Sequence, residues 1–198
     1  MQKRLNSWKM DTENKLTPQR SLDLIQETLE SNRRAIIAGS AKFFFLWGGV
    51  LALFSLAVWF FWNRSGNPVW NLLWLGMPLV GYPAAAALAR GSRIPQNYVS
   101  SLLGRIWAAF AFFAFALSAL AVAFPMNLTL QIIILLGLAE TVSGIALKSW
   151  PIIIAGAVVG IGGACAASLL AAGPGQVFLF TGAAVVLALT GLAIKLQK

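Results

Sequence analysis

After its first forty residues the chain alternates long apolar runs with short polar links. The apolar runs cover 43–62, 70–88, 106–124, 128–147, 152–172 and 177–194. A helix needs about 20 apolar residues to cross a hydrocarbon core about 30 Å thick, and each run has roughly that length. Alanine, leucine and phenylalanine dominate them, without the strict apolar/polar alternation of a membrane barrel strand. Inside lipid each backbone amide needs a partner within its own segment, which a helix supplies. The links at 63–69, 89–105, 125–127, 148–151 and 173–176 carry the proline, glycine and asparagine of turns. Links this short make successive helices antiparallel neighbours. The pattern therefore predicts an all-α integral membrane protein: a bundle over 43–198 of six transmembrane helices in three antiparallel hairpins, preceded by a cytosolic tail over 1–42.

The tail has a pattern of its own. Residues 1–16 are polar and mixed in charge. Thr17-Pro18 then reads as a helix start, a capping hydroxyl followed by proline in the first turn. Leu22, Ile25, Leu29 and Ile36 recur at roughly helical spacing, and Glu30 with Arg34 forms an i,i+4 pair. An amphipathic helix is expected from about Pro18 into the first span. Its narrow stripe suits the inner membrane surface or the underside of the bundle, with docking of a cytosolic or membrane protein partner as the alternative. No apolar core with a small-residue cleavage site precedes residue 43, so the first span is expected to serve as an uncleaved anchor.

Composition removes the other classes. The chain is 59% hydrophobic and 11% charged, with a mean hydropathy of +0.77. A soluble domain of this length carries about a quarter of its residues as charges. A soluble globule, a disordered chain and a nucleic-acid binder are excluded on that ground, although the net charge is +9. Position explains the charge. Lys3, Arg4, Lys9, Lys15, Arg20, Arg33, Arg34, Lys42, Arg90, Arg93, Arg105, Lys148, Lys195 and Lys198 fall on one side of the six-span ladder, and Arg64 alone on the other. The positive-inside rule then places both termini in the cytoplasm of an inner-membrane protein, with the basic side toward anionic headgroups of the lipid bilayer. Trp62 and Trp70 fall at the outer boundary and Trp47, Trp107 and Trp150 near the inner one, as interfacial aromatics do.

Candidate chemistry is sparse. Histidine is absent and Cys165 is the single cysteine. Histidine-dependent metal or triad catalysis is excluded, and no metal site, catalytic residue or cofactor is expected. Five of six acidic residues precede residue 31; the sixth, Glu140, lies inside the fourth span. It sits seven residues, roughly 10 Å, from the inner end of its helix. An ionised carboxylate there costs several kcal/mol unless paired or hydrated, and such groups serve proton relays and cation sites. The structural reading is a protonated carboxyl cross-linking helices through Thr141, Ser143 or a neighbour. Tyr82, eight residues before Arg90 as Glu140 is eight before Lys148, is the partner expected at that depth.

The fifth span is rich in small residues. Gly156, Gly160 and Ala164 follow small-xxx-small spacing, which lets helix backbones approach closely. This span is expected to be central and packed within the chain, with a homo-oligomer interface as the alternative. Cys165 reads as a small buried apolar residue. A displacement of 47 residues lays Ser143–Lys148 over Thr190–Lys195, which suggests a parallel internal repeat.

With its short hairpins, its Ser143-Gly144 and Thr190-Gly191 span endings and its Lys15-Leu16-Thr17-Pro18 entry, the chain resembles small six-span bacterial inner-membrane proteins of unknown function. Its last two hairpins also resemble the HdeD-type acid-resistance membrane proteins. Neither resemblance brings a catalytic motif or a site residue with it. Two functions stay open at this point. One is a non-enzymatic scaffold, accessory subunit or stress-related sensor with a cytosolic arm. The other is a small transporter or channel using Glu140. An intramembrane enzyme ranks last, since a Ser/His dyad is impossible without histidine and no aspartate pair lies inside the spans.

Overall fold

The structure, a computed structural model, describes residues 17–90 and 98–196. The basic residues Lys3, Arg4, Lys9, Lys15, Arg93 and Lys198 lie outside the described residues. Every regular element among the described residues is helical. Six helical stretches are long and apolar enough to cross a membrane: Pro18–Ser65, Pro68–Arg90, Tyr98–Ala123, Leu128–Leu147, Trp150–Leu169 and Pro174–Leu196.

Helix α1 runs Pro18–Ser65. Thr17 starts it, its hydroxyl accepting the Arg20 amide at 3.2 Å. The described residues divide into two compact units, one up to Arg34 and one from Ala35 onward. Within the first, Glu30 pairs with Arg33 at 3.4 Å and Arg34 at 3.5 Å, while Leu22, Ile25 and Leu29 are exposed. The Arg34 pair faces solvent and contributes little stability, while the Arg33 side chain is part-buried.

Within the second unit, the second span opens as a 3-10 helix, Pro68–Leu75, before α2, Gly76–Arg90. The apolar pattern alone predicts one continuous α-helix there. Asn67 caps the start, accepting the Val69 amide at 2.9 Å, and the Asn71 amide group donates to the Pro68 carbonyl at 3.0 Å. Pro78 then lacks an N–H, and its ring crowds the carbonyl of Trp74 four residues back. The tighter turn runs to Leu75, just past that carbonyl, and the α-helix takes over from Gly76.

Helices α3 (Tyr98–Ala123) and α4 (Leu128–Leu147) are joined through Asn127, which caps α4 by accepting the Leu130 amide at 3.1 Å. Lys148 ends α4 in the left-handed conformation, φ 51°. The Ser149 amide returns to the Gly144 carbonyl at 2.9 Å, and α5 starts at Trp150. The fifth span is α5 (Trp150–Ala157), a π-turn (Val158–Gly162) and α6 (Gly163–Leu169). It stops three residues before its apolar run does, where Leu170 turns extended ahead of Gly173-Pro174. Helix α7, Pro174–Leu196, closes the chain.

Helix α4 is the hub of this unit: α3, α5, the π-turn, α6 and α7 all pack against it. Small residues make the closest approach. A β-carbon added at Gly137 would overlap the backbone of Gly160, and one at Gly156 would overlap the Thr141 amide and lie 2.8 Å from the Gly137 carbonyl. One at Gly144 would lie 2.6 Å from the Ile153 amide. Lipid supplies no hydrophobic drive between helices, so such packing is what holds them. Leu51, Ile133, Leu136, Val159, Phe180 and Leu187 are central to the larger buried cluster, and Ile36, Val99, Leu147, Ile152 and Ile194 to a second.

Gly137→Ala should therefore destabilise the detergent-solubilised protein by about 1–3 kcal/mol, the usual cost of overpacking. Gly182→Ala, which meets nothing within 4 Å, should leave it unchanged. Thermal unfolding of the two variants side by side measures the difference.

Candidate functional site

Glu140 lies on α4 one turn after Leu136, on the buried side of the helix. The side chain keeps 1% of its surface exposed, and neither carboxyl oxygen has a hydrogen-bond partner. The hydroxyls beside it are turned to their own helix. Thr141 donates to the Gly137 carbonyl and Ser143 to the Ala139 carbonyl, each at 2.7 Å. Both bonds are the i to i−4 type that keeps a serine or threonine satisfied in lipid. The ion pairs among the described residues are those of Glu30 with Arg33 and Arg34, so Glu140 has no salt bridge.

Tyr82 is not its partner. The ring is 57% exposed and packs edge-on against Trp47, with centroids 5.6 Å apart. Equal depth in two helices does not bring side chains together when they leave those helices in different directions. Tyr82 follows Gly81, whose added β-carbon would lie 2.5 Å from the Trp47 ring, so this face of α2 is turned to α1. The structure thus leaves Glu140, Tyr82, Thr141 and Ser143 as neighbours in sequence or depth only.

Gly156 and Gly160 do sit against α4, as described above, while Ala164 is half-buried. Cys165 is exposed, not buried. Gly163 and Ala167 turn to the bundle on either side of it, and the helical rotation carries Cys165 to the outer face. No three His, Cys, Asp or Glu side chains converge among the described residues.

The seam between α4 and α5 has a counterpart. Displaced by 47 residues, Ile133, Leu136, Gly137, Glu140, Ser143, Gly144 and Leu147 fall on Phe180, Ala183, Ala184, Leu187, Thr190, Gly191 and Ile194, and all fourteen are buried. The contacts follow the same displacement. Gly156 meets the Gly137 carbonyl and the Thr141 amide; Gly48 of α1 meets the Ala184 carbonyl and the Ala188 amide. Gly144 meets Ile152 and Ile153; Gly191 meets Phe44 and Phe45. Ser143 and Thr190 each donate to a carbonyl four residues back. At the place of Glu140, α7 carries Leu187.

Two buried polar contacts had no signal in the sequence pattern. Gln176 is fully buried, and its amide donates to the carbonyls of Ala167 at 2.7 Å and Leu170 at 2.9 Å, capping the end of α6. Ser55 of α1 and Thr181 of α7 share a hydrogen bond of 2.8 Å. Glutamine beside a turn reads as an ordinary link residue, and a serine in one span does not announce a partner 126 positions away. No known protein family, curated protein or solved structure matches the chain.

Two substitutions separate these polar groups. Gln176→Leu leaves the carbonyls of Ala167 and Leu170 without this donor and should cost about 1–3 kcal/mol. Glu140→Leu breaks no hydrogen bond and copies α7, so its melting temperature in detergent should equal or exceed that of the parent chain. A Glu140→Leu protein that unfolds early would reveal a structural carboxyl.

Proposed function

We propose that the chain is a non-enzymatic, multi-pass inner-membrane protein of three antiparallel hairpins, with both termini in the cytoplasm, and that Glu140 is its working group. In this reading Glu140 is an intramembrane site for a proton or small cation, as in a small transporter or channel. One observation carries the proposal: a carboxyl fully buried and without a partner stands where an equivalent seam holds Leu187. The seam can be built without the carboxyl. An unpaired carboxylate in the membrane is expensive, and groups of this kind mark ion sites. The matching seams support descent of the last two hairpins from one duplicated unit.

The other reading is a scaffold, accessory subunit or stress-related sensor whose amphipathic arm, after Thr17, docks a cytosolic or membrane protein. The shallow burial of the second and third spans favours it, since α2 and α3 bury Gly81 and Val99 alone. Those faces meet either lipid or another protein chain.

Reporter fusions at Asn67 and Lys198 should report opposite sides of the membrane, and matching signals would overturn the six-span orientation. In proteoliposomes, a transport role predicts a proton or alkali-cation flux that Glu140→Gln abolishes and Leu187→Gln leaves in place. Absence of flux in the parent chain, with Glu140→Gln folding and associating normally, would favour the scaffold.

A further inference from the structure

We propose that the ligand of Glu140 is a proton and not a metal cation, an inference that rests on the reading of Glu140 as the working group. The argument turns on how many oxygens the site can offer. Hard cations such as magnesium and calcium require six or more oxygen ligands, gathered from carboxylates, carbonyls and water. Glu140 offers two oxygens, and neither has a hydrogen-bond partner in the described structure. The hydroxyls that follow it in sequence on α4, those of Thr141 and Ser143, are held on their own helix carbonyls. Thr141 Oγ1 is moreover pressed into the seam, where a β-carbon on Gly156 would lie 2.5 Å from it. A proton needs one oxygen lone pair and no coordination shell.

The elements packed against α4 supply no competing charge. On α3 the titratable groups are Tyr98 and Arg105, on α6 Cys165, and on α7 Lys195; within this unit α1 carries Lys42 and Arg64, both exposed, and Lys148 follows α4 itself. At 1.5 Å rise per residue, Lys148 and Lys195 lie roughly 12 Å along their helices from the level of Glu140 and Leu187. Arg105, near the same end of α3, forms no ion pair with Glu140, and Cys165 faces outward. Proton uptake is then the one event that removes the charge: a lone pair of one carboxylate oxygen forms an O–H bond, with no other bond broken and no electron transferred. The neutral acid sits at the position that Leu187 holds in the second seam, and both positions are buried. One protonation therefore converts a mismatched seam into one like its apolar counterpart.

Infrared difference spectroscopy on the full-length chain in lipid nanodiscs tests this. The expected result is a carboxylic-acid C=O band that appears on acidification, is lost in Glu140→Gln, and does not change when sodium, potassium, magnesium or calcium is added at fixed pH. If any of those cations abolishes the band at fixed pH, the proton assignment is overturned while Glu140 stands as the working group. If parent and Glu140→Gln spectra coincide under every condition, the underlying reading of Glu140 falls as well. Circular dichroism and gel filtration confirm that the variant is folded. Should Glu140→Gln not fold, Glu140→Asp replaces it; the proton assignment expects its band to shift but to keep its indifference to cations, and cation sensitivity overturns it.

Discussion

Contact between helix backbones across glycine is the constraint on which this molecule depends. In lipid, two apolar helices gain nothing by hiding from the solvent, so they hold together only where shape lets many atoms meet. Gly137, Gly144, Gly156 and Gly160 bring α4 to backbone contact with α5 and the π-turn, and Gly48 and Gly191 do the same for α1 and α7. The larger side chains are arranged around these points: Ile133 against Gly163, Phe44 and Phe45 against Gly191, Leu187 against Gly48. The two seams frame the central cluster, to which α2 adds Met77 and α3 adds Trp107 and Phe110 from its flanks.

The apolar periodicity made the helical class legible, because a run of about 20 apolar residues has few other uses. Local signals were also legible where one residue decides the backbone: Thr17 before Pro18, Asn127 before α4, Gly173-Pro174 before α7. The 3-10 opening of the second span was not, because Pro78 acts on a carbonyl four residues earlier and leaves no mark on hydropathy. The π-turn at Val158–Gly162 was hidden for a similar reason, since valine, glycine and isoleucine fit an α-helix equally well on paper.

The candidate site was legible only as a residue. Rarity singled out Glu140, one acid in six apolar runs. Its surroundings depend on which way side chains leave neighbouring helices, and depth counting cannot supply that, as Tyr82 against Trp47 shows. The displacement of 47 residues was visible in the sequence near the span ends, whereas its extension to Leu187 rests on burial and on paired glycine contacts. That extension gives the site its meaning, because it shows the same seam with and without a carboxyl.

The two-residue turn at Lys148 carries a conflict of a different kind. Its left-handed backbone is the conformation glycine adopts freely and a β-carbon resists, at roughly 1–2 kcal/mol. Lysine is at the same time favourable at a helix C-terminus, where its charge meets the negative end of the dipole. It is also the one basic residue in that connection. Under the proposed orientation, glycine here would relax the turn while erasing the positive charge that keeps the turn in the cytoplasm. Ease of folding and direction of insertion thus pull this position toward different amino acids. Lysine marks the side on which the compromise was struck.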